Sequence, residues 1–120
     1  MTEAQHQSSL FKWSLQPEIR AVYPQLKLLY HIPNGGKRDP IEAKHLKDQG
    51  VKKGVPDLHL PVGKGGYHGL YIELKTEKGR TTQFQNWWLA ELAKEGYCTA
   101  VCQGWKEAAE CLIRYLNLKN

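Results

Sequence analysis

Asp57, Glu73 and Lys75 are the residues whose types and order could carry a reaction. Glu73 and Lys75 stand two apart in Leu70-Tyr71-Ile72-Glu73-Leu74-Lys75, which alternates with period two and reads as a strand. Both side chains then leave the same face, while Ile72 and Leu74 point to the other. Asp57 opens a second strand, Asp57-Leu58-His59-Leu60-Pro61-Val62, and Gly63-Lys64-Gly65-Gly66 turns the chain between the two. An antiparallel hairpin would set the Asp57 carboxylate beside Glu73. Two carboxylates at that distance repel, and a hard divalent cation such as Mg²⁺ or Mn²⁺ relieves the repulsion. The backbone carbonyl of Leu74 offers a third oxygen ligand. Such a cation acidifies a bound water, and Lys75 would orient the resulting hydroxide and offset charge on a phosphate. These parts suffice for phosphodiester hydrolysis. The Glu-x-Lys pattern alone is also that of any half-exposed strand, so the weight comes from the three residues on paired strands.

The elements that must hold these residues follow from the rest of the chain. Residues 2–15 read as a helix capped by Thr2, with Leu10, Phe11 and Leu15 on its apolar side. Pro17 interrupts, and residues 18–23 form a short helical piece. Leu26 to Ile32 reads as a strand, followed by the turn Pro33-Asn34-Gly35-Gly36. Residues 40–48 form a helix with Pro40 at its start and Gly50 beyond its end. After the hairpin, Thr81 or Thr82 caps a helix from about 83 to 95, closed by Gly96. Tyr97 to Cys102 is a strand and Trp105 to Leu116 a last helix. The order describes an α/β or α+β domain with a small mixed sheet.

A chain of 120 residues is expected to form one domain. Seventeen Lys and Arg against 12 Asp and Glu leave a charge of +5, with basic residues crowding the middle, Lys52 and Lys53 among them. That balance favours polyanionic partners through counterion release. No apolar run is long enough for a bilayer, and Met1 to Gln7 is too polar for a signal peptide, so the expected location is the cytoplasm. Three cysteines, Cys98, Cys102 and Cys111, are read as free thiols; Cys98 and Cys102 lie about 13 Å apart along one strand. No Cys or His pair has zinc-finger spacing. Gly63-Lys64-Gly65-Gly66 lacks Walker spacing and is read as a turn. Asn34, Lys37 and Arg38 sit in a Gly-rich loop that could hold DNA phosphates. Trp87 and Trp88 are adjacent on a helix and cannot both face the core; Trp88 is expected inside and Trp87 exposed.

The order Pro56-Asp57 then Glu73-Leu74-Lys75 resembles the PD-(D/E)xK nucleases. The chain as a whole resembles the stand-alone virus-type replication–repair nuclease (VRR-NUC) domains of phages and bacteria. The resemblance runs through Tyr23-Pro24, Ile32-Pro33-Asn34-Gly35-Gly36, Gly50-Val51-Lys52-Lys53-Gly54-Val55-Pro56-Asp57-Leu58, Gly69-Leu70-Tyr71-Ile72-Glu73-Leu74-Lys75, Gln85, Trp88-Leu89 and Gly96-Tyr97. Residues 72–102 are similar to the C-terminal nuclease domain of the Fanconi-associated nuclease, which has an Arg and a Gln where this chain has Arg80 and Gln85. The resemblance implies a restriction-endonuclease-like core, a small mixed sheet flanked by helices. It implies an acidic residue on the first helix completing the site; Glu3 is favoured over Glu18. It gives Gln85 a supporting role toward the metal shell or the lysine, and Arg80 a phosphate contact. It points to branched DNA such as Holliday junctions, whose symmetric cutting suits a C₂ homodimer. A catalytically inactive DNA-binding module and an adaptor protein remain as competing readings; metal-dependent cleavage separates the first reading from both.

Overall fold

Thr2 stops the backbone short of helix geometry and forms a capping box: its hydroxyl accepts from the Gln5 amide, and the Gln5 side chain accepts from the Thr2 amide. Helix α1 (Glu3–Ser14) follows. This computed structural model describes residues 1–33 and 39–120, so Asn34, Lys37 and Arg38 lie outside the described residues. The remaining elements are α2 (Pro17–Val22), a 3₁₀ turn (Pro24–Leu28), β1 (Tyr30–His31), α3 (Pro40–Asp48), β2 (Leu58–Leu60), β3 (Leu70–Lys75), α4 (Gln83–Lys94), β4 (Cys98–Gln103) and α5 (Trp105–Leu116).

Three expectations need correction. Leu26 to Leu28 is not strand: Pro24 presets a helical φ, and the turn lets Leu26 and Leu29, three apart, bury on one side. The strand shrinks to Tyr30–His31. Leu15 does not join the apolar side of α1; it is the C-cap and is 66% exposed. The inward stripe is His6, Leu10 and Ser14, four residues apart, with Phe11 partly buried beside it. Pro17, read as an interruption, opens α2 from its first position.

The sheet has the order β1-β2-β3-β4. The first two pairings are antiparallel and β3–β4 is parallel, so the sheet is mixed. Leu58, Leu60, Leu70, Ile72 and Leu74 meet Leu10, Ala108, Leu112 and Leu116 in the core. Each buried Leu or Ile contributes roughly 1.5–3 kcal/mol. Helices α1 and α5 contact each other and β3 on this side, while α4 contacts β4. The core stripe of α5 (Ala108, Leu112, Tyr115, Leu116) has the helical spacing that the sequence displays. Cys98, Cys102 and Cys111 are free thiols. No helix among the described residues is long and apolar enough to cross a membrane.

The segment leading to β2 is fixed by one close approach. Gly54 has φ +91°, and a Cβ there would lie 2.8 Å from the Phe84 backbone at the start of α4. Gly50 has a similar φ of +100° with nothing within 4 Å of that position. Gly50→Ala therefore tests the backbone cost alone, about 1–2 kcal/mol, whereas Gly54→Ala adds the overlap and is expected to cost roughly 2–4 kcal/mol. Urea unfolding of the two variants checks this. Equal losses would show that the contact with Phe84 does not constrain the segment.

Candidate functional site

The hairpin register decides what Asp57 faces. Leu58 pairs with Ile72 and Leu60 with Leu70 in an antiparallel ladder, so Asp57, one residue before β2, lies opposite Glu73. The Asp57 carboxylate reaches across and accepts a hydrogen bond from the Leu74 amide through Oδ2 at 2.7 Å. The N–H and C=O of a strand residue point to the same side, which directs the Leu74 carbonyl toward Asp57 as well. The Asp57 carbonyl is itself held by the Ile32 amide at 2.7 Å.

Glu73 and Lys75 share a face, as their spacing requires, but that face is not solvated. Glu73 is 1% exposed and Lys75 7% exposed, so both faces of β3 are buried at this end. Lys75 Nζ lies 3.8 Å from Glu73 Oε2, near enough to act as a charge but not as a close hydrogen bond. Gln85 Nε2 donates to Glu73 Oε2 at 3.2 Å. Among the described residues, Glu73 Oε1 is buried with no hydrogen-bond partner. A carboxylate oxygen in that position is costly without a proton or a cation.

Two helix starts bring in the remaining groups. Gln85 belongs to the capping box of α4: its Oε1 accepts from the Thr82 amide at 2.8 Å and its amide donates to the Thr82 hydroxyl at 3.2 Å. Thr82, not Thr81, is thus the cap. One side chain closes the helix terminus and hands its free N–H₂ to Glu73. Glu3 lies in the first turn of α1, and carboxylate oxygens of Glu3, Asp57 and Glu73 all fall within 4.8 Å of one another. Glu18, at the start of α2, is outside this cluster. The rest of α1 is anchored by His6, whose Nδ1 accepts from the Trp105 amide at 3.1 Å. Trp105 is the first residue of α5, so its N–H has no partner within the helix, and the N–H of the N-cap Gly104 donates to the Lys75 carbonyl at 2.8 Å. His6 therefore ties α1 to the point where the chain leaves β4, and so sets Glu3 over the strand ends. Sequence reading missed this role. The available signals were a glycine at the N-cap of α5 and a lone polar residue on the inward stripe of α1.

Three carboxylates and one lysine in this space set the electrostatics. The Glu73 carboxyl is pushed up to about 9, chiefly by burial and then by the Asp57 carboxyl beside it; Lys75 opposes the shift and Glu3 adds to it. Without a cation the pair retains a proton near neutrality. The acidic trio, the partnerless Oε1 and the Leu74 carbonyl form an all-oxygen donor set of the kind hard divalent ions select. The residues present therefore fit such an ion.

The other expected residues lie around this centre. Lys52 and Lys53 are exposed on the segment entering β2, and Lys53 Nζ sits 5.0 Å from the centre of the Phe84 ring. Arg80 is exposed on the loop between β3 and α4. That loop is held by the Gln103 side chain, which donates to the carbonyls of Glu77 and Gly79. His31, His59 and His68 are outside the acidic cluster. Trp88 is half-buried but lies outside the core cluster; its indole N–H donates to the Lys53 carbonyl at 3.0 Å. Trp87 is 58% exposed, as expected.

Comparison with known proteins defines the class. The VRR-NUC domain family matches residues 5–106. Among solved structures, a chain described as a VRR_NUC domain protein aligns with a TM-score of 0.85 and 32% identity, over 100% of this chain and 92% of that one. No curated protein matches. The mixed sheet flanked by helices is thus a nuclease-type α/β domain. The chain belongs to the VRR-NUC family.

The raised Glu73 carboxyl has a measurable consequence. From its ordinary value of 4.5 up to about 9, the folded metal-free protein keeps a proton that the unfolded chain has lost. Stability therefore falls as pH rises through this interval. In EDTA, Glu73→Gln is expected to melt close to the wild type near pH 5 and several degrees above it near pH 9. A pH-independent difference in melting temperature would show that Glu73 ionises normally.

Proposed function

We propose that this chain is a divalent-metal-dependent endodeoxyribonuclease acting on branched DNA such as Holliday junctions, as a homodimer, in the cytoplasm. The observation that carries this reading is the convergence of Glu3, Asp57 and Glu73 within 4.8 Å beside the buried Lys75, in a member of the VRR-NUC family. Asp57, Glu73, the Leu74 carbonyl and Glu3 would hold Mg²⁺ or Mn²⁺, which when bound supplies an acidified water and positive charge at the scissile phosphate. Gln85 holds one oxygen of Glu73 and leaves the other without a hydrogen-bond partner among the described residues. Lys75 orients the attacking oxygen and offsets charge developing on the phosphate, an effect strengthened by its burial. Asp57 is kept in place by the Leu74 amide. Arg80, Lys52, Lys53 and the loop residues Asn34, Lys37 and Arg38 contact the DNA backbone, consistent with a net charge of +5. Symmetric cutting of a four-way junction takes two centres, which a C₂ pair of this chain provides. A binding module without catalysis is less well supported, because the acidic residues, the lysine and the glutamine are all present and in contact.

Cleavage of labelled four-way junction, flap and linear duplex DNA with Mg²⁺, Mn²⁺ or EDTA tests the reading. Junction cleavage is expected with either metal and not with EDTA, and Lys75→Ala is expected to slow it by at least about 100-fold. Junction binding without cleavage under any metal would leave a structure-specific binding protein instead.

A further inference from the structure

Helices α3 and α4 enclose an open groove whose apolar wall has no part in the proposed reaction. Its volume is about 1180 Å³, above the roughly 300–1,000 Å³ usual for small-molecule pockets. Lys47, Lys52 and Lys53 line it together with Phe84, Trp87 and Trp88. No carboxylate is among its described lining residues. Helix α3 has no buried residue, and Phe84 and Trp87 are more than half exposed, so the apolar wall is uncovered. Trp87 and Trp88 meet edge to face at 5.5 Å and 88°. The Trp88 N–H is fixed on the Lys53 carbonyl, which steadies the pair.

The geometry points to this groove as a seat for an unpaired DNA strand, with bases stacked on Trp87 and phosphates along the three lysines. The inference rests on the nuclease reading for its place in the reaction. Flat exposed aromatics beside lysines and no acids are what single strands select: stacking tolerates any base and the cations follow the backbone. A second copy of the chain is a poorer occupant, because a twofold contact would oppose two sets of these lysines in a chain already at +5. Position adds to the case. Lys53 stands four residues before Asp57, the intervening Gly54 touches Phe84, and Gln85 on the same first turn of α4 bonds Glu73. A strand lying in the groove would thus be delivered next to the acidic cluster. This would favour DNA with an unpaired arm at the cut site, and would make Trp87 a specificity-determining residue.

The test is equilibrium binding in EDTA, where no cleavage occurs, by anisotropy of a labelled oligothymidylate of about 12 nucleotides and of a strand of equal length whose sites are all abasic. The wild type is expected to bind the base-bearing strand about tenfold more tightly, the effect of one stacked base. Trp87→Ala should lose most of that preference and Trp87→Phe should keep part of it. Equal wild-type affinity for the two strands overturns the inference without needing any variant. A preference that Trp87→Ala leaves intact also overturns it. So would a solution dimer that Trp87→Ala dissociates while oligothymidylate affinity stays unchanged, which would assign the groove to a second copy. Metal-dependent junction cleavage without base preference would remove this inference and leave the nuclease reading standing; base preference without cleavage would do the reverse.

Discussion

Glu73 is buried on an inner strand directly across from Asp57, and most of the local architecture follows from keeping it there. A carboxylate so placed loses hydration and faces a like charge, so its ionised form is strongly disfavoured. Lys75 at 3.8 Å only partly offsets this. The metal-free fold responds by retaining a proton. A divalent cation would replace that proton and satisfy the partnerless Oε1 at the same time. The site is in this sense assembled at the expense of stability, which is the usual relation between a pre-arranged charged centre and the fold that carries it.

Three long-range ties hold the arrangement. Gln85 closes α4 and steadies Glu73 with the same side chain. The Leu74 amide fixes Asp57 across the ladder. His6 takes up the first amide of α5, which has no partner within its helix, and with it sets the first helix, on which Glu3 stands. None of these groups is far from a helix start or a strand end. Polar groups left open by secondary structure are concentrated at such points, and here they are satisfied by the residues around the acidic cluster.

Much of this was legible in the sequence because it depends on local rules. The capping threonines, Pro40 at the start of α3, the spacing of apolar residues and the period-two strands gave α1, α3, α4, α5 and the hairpin within a residue or two. The expected hairpin could bring Asp57 beside Glu73, and the observed ladder register sets the two opposite each other. What was illegible depends on contacts between distant segments. Leu26 and Leu28 have the composition of a strand, yet Pro24 and burial of Leu26 with Leu29 favour a 3₁₀ turn. The alternation around Glu73 and Lys75 reads as a half-exposed strand, yet the folded chain buries both residues and brings Gln85 of α4 and Glu3 of α1 to Glu73. Leu15 looks like a core residue but falls at the helix end. The family resemblance favoured Glu3 over Glu18, and the geometry brings Glu3, not Glu18, to the two strand carboxylates. Trp88, expected in the core, instead fastens the segment before Asp57 to α4.

The groove beside the site gives the domain a second surface suited to nucleic acid, distinct in chemistry from the acidic centre. Lysines and exposed rings attract and hold a strand, while the carboxylates repel phosphate until a cation intervenes. Everything therefore turns on whether a divalent ion occupies the space between the carboxylates. The most direct measurement is a crystal structure of the protein with Mn²⁺, the ion located by its anomalous scattering. The expected result is a peak bounded by Asp57, Glu73 and the Leu74 carbonyl with Glu3 alongside. A well-ordered site with no peak there, or Mn²⁺ bound only elsewhere on the surface, would contradict the metal-centre reading.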